Sequence, residues 1–215
     1  MRKPKKPASQ EELHSEFGGH TKPFKPAMGK GDYGFTDFIG TAVGYKSSWQ
    51  AETCGTIDEL NTLIGEAHTR NREEGVRSDL MKISKDLFIL GTDVATTIMT
   101  EKNNLPRITT KHVHRIEDLI LRYELLMSPI RHFIIPMGPP SVTILNQARS
   151  VTRRAERQMV RFLREDHRKS LRINPLTLAY LNRLGDLLFA MARYVLKQSG
   201  EKEIYWSRED AKDFT

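Results

Sequence analysis

Apolar residues recur at intervals of three and four along most of this chain, which is the spacing that gathers side chains on one face of an α-helix. The pattern is clearest where Leu80, Ile83, Leu87, Leu90 and Val94 follow one another. No segment shows a convincing alternation of apolar and polar residues, the pattern of a half-buried strand. The sequence therefore predicts an all-α fold, a five-helix up-down bundle with short connections.

Five separate stretches carry this spacing, and local signals indicate where they begin and end. Thr56 followed by Glu59 is typical of a capping box at a helix start, and Gly200 suits a C-terminal stop. The predicted helices cover about Thr56 to Asn71, Arg77 to Thr97, Thr110 to the residue before Pro129, Ser141 to Asp166 and Pro175 to Gly200. The stretch ahead of the first helix is predicted to be a loop.

Composition excludes several classes of protein. The 215 residues are 38% apolar and 28% charged, as expected for one globular domain. Cys54 is the single cysteine, which excludes an intramolecular disulfide and a cysteine zinc cluster; we interpret it as a packing residue of a cytoplasmic protein. The longest apolar run, Leu187 to Ala192, is too short to span a bilayer, so no membrane partner is expected.

The chain is basic, with 34 Lys and Arg against 27 Asp and Glu, a formal charge of +7. Such a balance favours an anionic partner. Residues 1–30 hold seven of the cations and three of the acids, together with four prolines and no apolar periodicity. We therefore predict a disordered basic tail over residues 1–27, a helical domain over 28–206 and a short C-terminal tail over 207–215.

A glycine-rich loop precedes the first predicted helix. Glycines allow backbone N–H groups to wrap a phosphate, Lys30 adds positive charge, and Asp32 is placed to help hold a magnesium ion. The loop has neither the Walker pattern nor a preceding strand, so P-loop and Rossmann sites are excluded. Its candidate phosphate-binding residues are Gly29, Lys30, Gly31, Asp32, Gly34 and Thr36.

Polar side chains also repeat in helical phase beside the apolar stripes. Unpaired charge buried there would cost several kcal/mol, so these groups must pair or bind a ligand. Each cluster alone favours weak surface ion pairs, whereas all of them together, behind a glycine-rich loop, weaken that interpretation. Helical spacing places Arg149, Arg153 and Glu156 together on the fourth helix, Asn182, Asp186, Phe189 and Arg193 on the fifth, and Asp58, Glu59 and Asn61 on the first.

The glycine-rich loop and the polar helix segments, taken in their order along the chain, resemble those of the PduO-type ATP:cob(I)alamin adenosyltransferase family. The most specific match is Ala148–Arg157, which is close to the family's Ala-Arg-x-Val-x-Arg-Arg-Ala-Glu-Arg. The other matching segments are Gly31–Thr36 with Lys46, Gly55–Asn61, Leu87–Thr96, Phe133–Pro136, Tyr180–Phe189 and the terminal Trp206.

The resemblance implies a homotrimer of five-helix bundles that transfers the adenosyl group of ATP to cob(I)alamin. It implies that Lys46 and the glycine-rich loop cradle the triphosphate and its Mg²⁺, and that Asp58 pairs with Arg149 across the subunit interface. Phe133 would displace the lower axial ligand of cobalamin, and Asp186 would lie beside both substrate pockets. A reductase or a B12-dependent enzyme is suggested as protein partner. The residues implied to line the nucleotide site are Arg149, Arg153, Arg154, Glu156 and Asn182, with Arg153, Asp186 and Phe133 closest to the chemistry.

Some residues depart from the family pattern, and two alternatives to the family's activity stay open. Gly29 and Lys30 alter the loop, while Met137 and Asn146 replace a common glycine and histidine near the corrinoid side. The first alternative is therefore a diverged ATP or corrinoid binder without turnover. The second is a basic bundle that binds nucleic acid through the helix beginning near Arg149 and the tail. It is disfavoured because Asp58 and Glu156 are candidate partners for the arginines and no helix-turn-helix is evident.

Overall fold

The prediction of a five-helix bundle is confirmed. The computed structural model describes residues 29–40, 43–96, 105–165 and 173–207, so the predicted N-terminal tail and the end of the C-terminal tail lie outside the described residues. Helix α1 packs against α2 and α4, and α5 packs against α3 and α4. The helices are α1 (Trp49–Arg70), α2 (Glu74–Ala95), α3 (Thr110–Glu124), α4 (Pro140–Glu165) and α5 (Leu176–Gln198).

The apolar stripes form one continuous core between the helices. Leu60, Leu80, Leu145 and Leu184 are fully buried, one from each of four helices, as the three-and-four spacing requires. Burying each such side chain contributes about 1.5 to 3 kcal/mol. The core therefore holds α1, α2, α4 and α5 in place and leaves their polar faces to form the site.

The predicted start of the first helix was wrong. Helix α1 begins about two turns earlier, at Trp49, where the hydroxyl of Ser48 accepts a hydrogen bond from the backbone N–H of Ala51 at 3.2 Å. Thr56 lies inside the helix and donates to the carbonyl of Glu52 at 2.9 Å, so it caps nothing. The early turns escaped prediction because polar Gln50 is buried there in place of an apolar residue.

The stretch predicted to be a loop contains a small hairpin. Strands β1 (Phe35–Asp37) and β2 (Val43–Tyr45) pair antiparallel, after a single 3-10 turn at Lys30–Tyr33. Strands of three residues are too short to show alternation. The hairpin is tied to the end of α2 because the N–H of Ile39 donates to the carbonyl of Ala95 at 2.9 Å.

Three buried aspartates at seven-residue intervals on α2 join it to α3, and the sequence analysis did not identify them. Asp79 pairs with Arg122, Asp86 with Arg115, and Asp93 with Arg107 just ahead of α3. Each carboxylate accepts further hydrogen bonds, the first two from the hydroxyls of Tyr123 (2.9 Å) and Tyr180 (2.8 Å). Burial, and then the charge of Asp86, raises the pKa of Tyr180 well above its ordinary value, so its hydroxyl remains a proton donor.

Replacing Gly138 with alanine is expected to destabilise the fold by about 1 to 3 kcal/mol. Gly138 has φ of 144°, and an added Cβ would lie 2.9 Å from Cδ1 of Leu196 and 3.3 Å from Cβ of Val142. Urea unfolding measures the change. Gly75→Ala is the matched control because its helical Cβ meets nothing within 4 Å, and it should be neutral or stabilising. Equal effects in the two variants would contradict the argument from backbone strain.

Candidate functional site

The glycine-rich turn and Lys46 come together at the hairpin. The ammonium of Lys46 donates to the carbonyl of Gly31 at 2.8 Å, and its backbone N–H donates to the carbonyl of Gly34 at 2.8 Å. Gly34 has φ of 80°, which favours glycine and lets the chain turn into β1. The structure thus places the cation of Lys46 directly beside the loop.

Two charged residues of this loop have partners within it. One carboxylate oxygen of Asp32 accepts from the backbone N–H of Gly29 at 2.8 Å, and Lys30 pairs with Asp37 at 3.4 Å. Both pairs are exposed, so they contribute little to stability and are free to rearrange around a ligand. Thr36, by contrast, lies in β1 opposite Gly44.

A second cluster joins α1, α4 and α5. Arg154 on α4 pairs with Glu59 on α1, and the amide of Asn182 on α5 donates to Glu156 on α4 at 3.0 Å. Arg183, which was not among the predicted site residues, donates to the side-chain amide oxygen of Asn182 at 2.7 Å. Because the amide of Asn182 is held on both sides, its orientation is fixed at this face.

Arg149 and Arg153 bring two positive charges together on the same face. Burial first, and then the charge of Arg153, lowers the pKa of Arg149, while nearby Asp186 opposes the shift. The guanidinium of Arg149 lies 5.1 Å from the ring centre of Phe189. Within the described residues, neither arginine forms an ion pair, and Glu156 is hydrogen-bonded to Asn182 instead of Arg153. Two like charges held close together, neither of them in an ion pair, suit a polyanion.

Asp58 is exposed on α1 and forms no ion pair with any residue the structure describes. The partner implied for it, Arg149, is half-buried and forms no ion pair in the described part of the chain, although Asp186 is nearby. One copy of the chain therefore leaves the carboxylate of Asp58 and the guanidinium of Arg149 outside any ion pair among the described residues.

The loop and the arginine cluster are not joined within one chain. Helix α4 runs antiparallel to α1, with Arg161 over the ring of Trp49 at 4.8 Å and Arg154 paired with Glu59. Ten helical residues separate Trp49 from Glu59, about 15 Å along the axis. No hydrogen bond or ion pair links the loop to Arg149, Arg153 or Asn182 across the described ranges.

Phe133 lines a cavity formed by the segment ahead of α4 and the segment after α5. Its side chain is 81% exposed, although it is large and apolar. The cavity measures about 720 Å³, and Tyr205 and His132, which were not predicted as site residues, lie beside Phe133 in its lining. Met137 and Asn146 lie away from it, around a smaller pocket with Phe189. The lining residues of the large cavity are Ile130, Arg131, His132, Phe133, Tyr205, Trp206 and Ser207.

Cys54 packs against the core as interpreted from the sequence. Burial, and then the nearby charge of Asp58, raises the pKa of its thiol to about 12. The thiolate is the reactive form, so this residue is unsuited to nucleophilic chemistry near neutral pH.

The fold and these clusters define a helical-bundle protein with an open cationic site fit for a polyphosphate. The chain belongs to the cobalamin adenosyltransferase family, whose sequence model matches residues 27–195. Within the described residues no helix is long and apolar enough to cross a membrane.

Similar proteins extend over most of the chain. It is 36% identical to a corrinoid adenosyltransferase of Bacillus subtilis, over 83% of this chain and 90% of that one. It is 33% identical to a cobalamin adenosyltransferase of Cupriavidus metallidurans, over 86% and 95%. Among solved structures, a variant PduO-type ATP:corrinoid adenosyltransferase from Lactobacillus reuteri complexed with cobalamin and ATP superposes with a TM-score of 0.75 at 29% identity, over 83% and 97%.

Proposed function

We infer that this chain transfers the 5′-deoxyadenosyl group of ATP to cob(I)alamin, forming adenosylcobalamin and releasing triphosphate. The observation that carries the proposal is the pair Arg149 and Arg153, in which Arg153 is exposed and forms no ion pair with the described residues, in a chain of this family. A tetraanionic ATP is the kind of ligand that such a pair attracts. Residues 28–206 act as the enzyme domain, with 1–27 and 207–215 as tails.

The site is completed by a second copy of the chain, and the enzyme is a homotrimer. The loop with Lys46 and the cluster on α4 and α5 are unconnected within one chain, and both carry positive charge. If the loop of one subunit meets the arginines of its neighbour, the cations surround one triphosphate. Asp58 of one subunit then pairs with Arg149 of the other.

The reaction needs no side-chain nucleophile. Co(I) supplies the electron pair that forms the cobalt–carbon bond to the ATP 5′ carbon, and the 5′ carbon–oxygen bond breaks with its pair leaving on triphosphate. Arg153, Arg154 and Lys46 neutralise the charge that builds on the leaving group, while Glu156 and Asn182 orient the adenosine. Asp186 lies between the two substrates. A reductase supplies the electrons that make Co(I), and a cytoplasmic location keeps Cys54 reduced.

Mg²⁺ fits the loop as an ion carried by the nucleotide. The described residues offer no group of three acidic, histidine or cysteine ligands, so this part of the chain provides no metal cage of its own. Mg²⁺ is commonly held by substrate phosphates, water and one or two carboxylates. Asp32 would supply a carboxylate oxygen, with Thr36 as a neutral donor nearby, and the ion would further neutralise the triphosphate.

Phe133 acts on the corrinoid side. Its exposed ring projects beside a cavity of about 720 Å³, and an apolar group there would fill the lower axial position of cobalt. Without that ligand, cob(II)alamin is easier to reduce.

Anaerobic incubation of the purified chain with ATP, Mg²⁺ and chemically reduced cobalamin tests the activity. A cobalt–carbon absorption spectrum and stoichiometric triphosphate are expected. ATP binding with no product would favour the diverged binder indicated by Met137 and Asn146. Steeply salt-dependent DNA binding with neither would favour the nucleic-acid alternative.

Reversing the charge of Asp58 or Arg149 is expected to weaken the trimer and lower turnover, because each reversal places like charges together at the interface. Asp58→Arg and Arg149→Asp should each lose about tenfold or more in activity at micromolar protein. The double variant should recover trimer formation, measured by analytical ultracentrifugation. Exposed Asp118 on α3 provides a control reversal, Asp118→Arg, that should leave assembly intact. Full trimer in both single variants would contradict the pairing.

A further inference from the structure

The backbone of Phe133 is held by the last described residues of the chain. The N–H of Trp206 donates to the carbonyl of Phe133 at 2.8 Å, and the N–H of Ile135 donates to the carbonyl of Ile204 at 2.8 Å. Between these bonds Ile134 pairs antiparallel with Tyr205. A short two-stranded ladder therefore joins Phe133–Ile135 to the C-terminal segment, defined here as residues 203–206.

Arg193 on α5 connects this ladder to the helical bundle. Its side chain is only 7% exposed, and a buried guanidinium is costly unless its donors are paired. Nε of Arg193 donates to Glu203 at 2.5 Å, and Nη2 donates to the carbonyl of Ser128 at 2.9 Å. The side chain of Arg193 thus connects both the C-terminal segment and the chain just before Phe133, at Ser128, to helix α5.

Glu203 is held by two donors. Its second carboxylate oxygen accepts from the hydroxyl of Tyr205 at 2.6 Å. Burial alone raises the pKa of Glu203, but the hydrogen bonds from Arg193 and Tyr205 and the guanidinium charge outweigh it, so the pKa is lowered overall. A lowered folded-state pKa gives stability that is present above the ordinary carboxyl pKa and lost as the pH falls through the lowered value. The pair is therefore fully formed at neutral pH.

Phe133 depends on this anchor because its own ring has little packing. The ring is 81% exposed at the cavity, whereas the large apolar side chains of the core are buried among their neighbours. The backbone position therefore sets the region that the ring can reach through its rotamers. We propose that Arg193 and Glu203 are positioning residues for the corrinoid reaction: through the C-terminal segment they hold Phe133 where it displaces the lower ligand of cobalt. This inference rests on the proposed function.

The test compares two corrinoids, of which only one requires its lower ligand to be displaced from cobalt. Cobalamin carries a lower nucleotide ligand, whereas cobinamide lacks it. The variants are Glu203→Gln, which keeps the shape and removes the charge, and Arg193→Lys, which keeps the charge and loses the two-sided donor geometry. Lys197→Gln is the matched control, since Lys197 lies one turn further along α5 and donates only to the carbonyl of Leu126 at 2.8 Å.

The measured quantities are the fraction of bound cob(II)alamin that is four-coordinate in the presence of ATP, read by electron paramagnetic resonance, and the rates with each corrinoid. Glu203→Gln and Arg193→Lys should lower the four-coordinate fraction and the cobalamin rate by about tenfold, because a displaced ring no longer fills the axial position. The cobinamide rate and the KM for ATP should stay within about twofold. The Lys197→Gln control should match the wild-type chain.

Three outcomes overturn the inference. The first is an unchanged four-coordinate fraction in Glu203→Gln; the second is an equal loss with cobalamin and cobinamide, which a merely structural role predicts. The third is a wild-type chain that binds no cobalamin, which removes the proposed function as well. Failure of the wild-type chain to form the cobalt–carbon bond counts against the proposed function alone, because coordination is read without turnover. If Arg193→Lys does not fold, Glu203→Gln and Tyr205→Phe still decide the matter.

Discussion

Replacing Arg153 with alanine is expected to lower adenosyl transfer by about a thousand-fold while leaving the bundle folded. Arg153 is exposed on α4 and forms no hydrogen bond or ion pair with the described residues, so the fold does not depend on it. Its charge instead adds to that of Arg149 and faces the position proposed for the triphosphate. Removing one preorganised donor to a developing anion costs about 10² to 10³ in rate.

Initial rates with saturating cob(I)alamin, together with calorimetric ATP binding, measure this loss. Arg164→Ala is the matched control, because Arg164 is an exposed arginine near the end of the same helix. Arg153→Lys should fall between the two, since it keeps the charge and loses the forked donor geometry. Turnover at the wild-type rate in Arg153→Ala would exclude this residue from the site.

Local periodicity was sufficient to predict the helices, because each helix buries a stripe that the sequence itself displays. The prediction failed where polar residues occupy the core. Gln50 is 2% exposed and donates to the carbonyl of Val94 at 2.9 Å, so the apolar spacing of α1 is interrupted in its first turns. The aspartates of α2 were missed for the same reason, although their seven-residue spacing is matched by that of Arg115 and Arg122.

The candidate site was predicted unevenly. Helical spacing singled out Arg149 and Arg153, and the resemblance added Lys46; the structure places Lys46 beside the loop and the two arginines on one face. Arg183 was missed because its role is to hold Asn182, which only a three-dimensional contact reveals. The pairing of Trp206 with Phe133 joins residues more than seventy positions apart, and no local pattern indicates such a contact.

Replacing Asp93 with alanine is expected to lower the free energy of unfolding by about 3 to 5 kcal/mol, the usual cost of breaking a buried pair. Asp93 is fully buried and pairs with Arg107. It also accepts hydrogen bonds from the N–H of Ile108 at 2.8 Å and the amide of Asn174 at 2.9 Å. Alanine would remove this acceptor from Arg107 and from the N–H of Ile108, while the amide of Asn174 would keep its hydrogen bond to the carbonyl of Ile108 at 2.7 Å.

A loss of this size is a large part of the stability of a typical domain, about 5 to 15 kcal/mol. Thermal and urea unfolding at one fixed protein concentration measure it, and the midpoint should fall by about 10 °C or more. Exposed Asp118→Ala should change stability by less than about 0.5 kcal/mol. A matching small change in Asp93→Ala would show that the carboxylate is dispensable.

The position of Asp93 adds a functional consequence to this loss. Two residues further along α2, the carbonyl of Ala95 accepts the hydrogen bond from Ile39 that ties the hairpin to the bundle. Loosening the end of α2 therefore loosens the anchor of the loop that carries Lys46. We expect Asp93→Ala to weaken ATP binding even at temperatures where the bundle remains folded. The equally buried Asp86, which pairs with Arg115 further from the hairpin, should lose stability on substitution with a smaller effect on ATP.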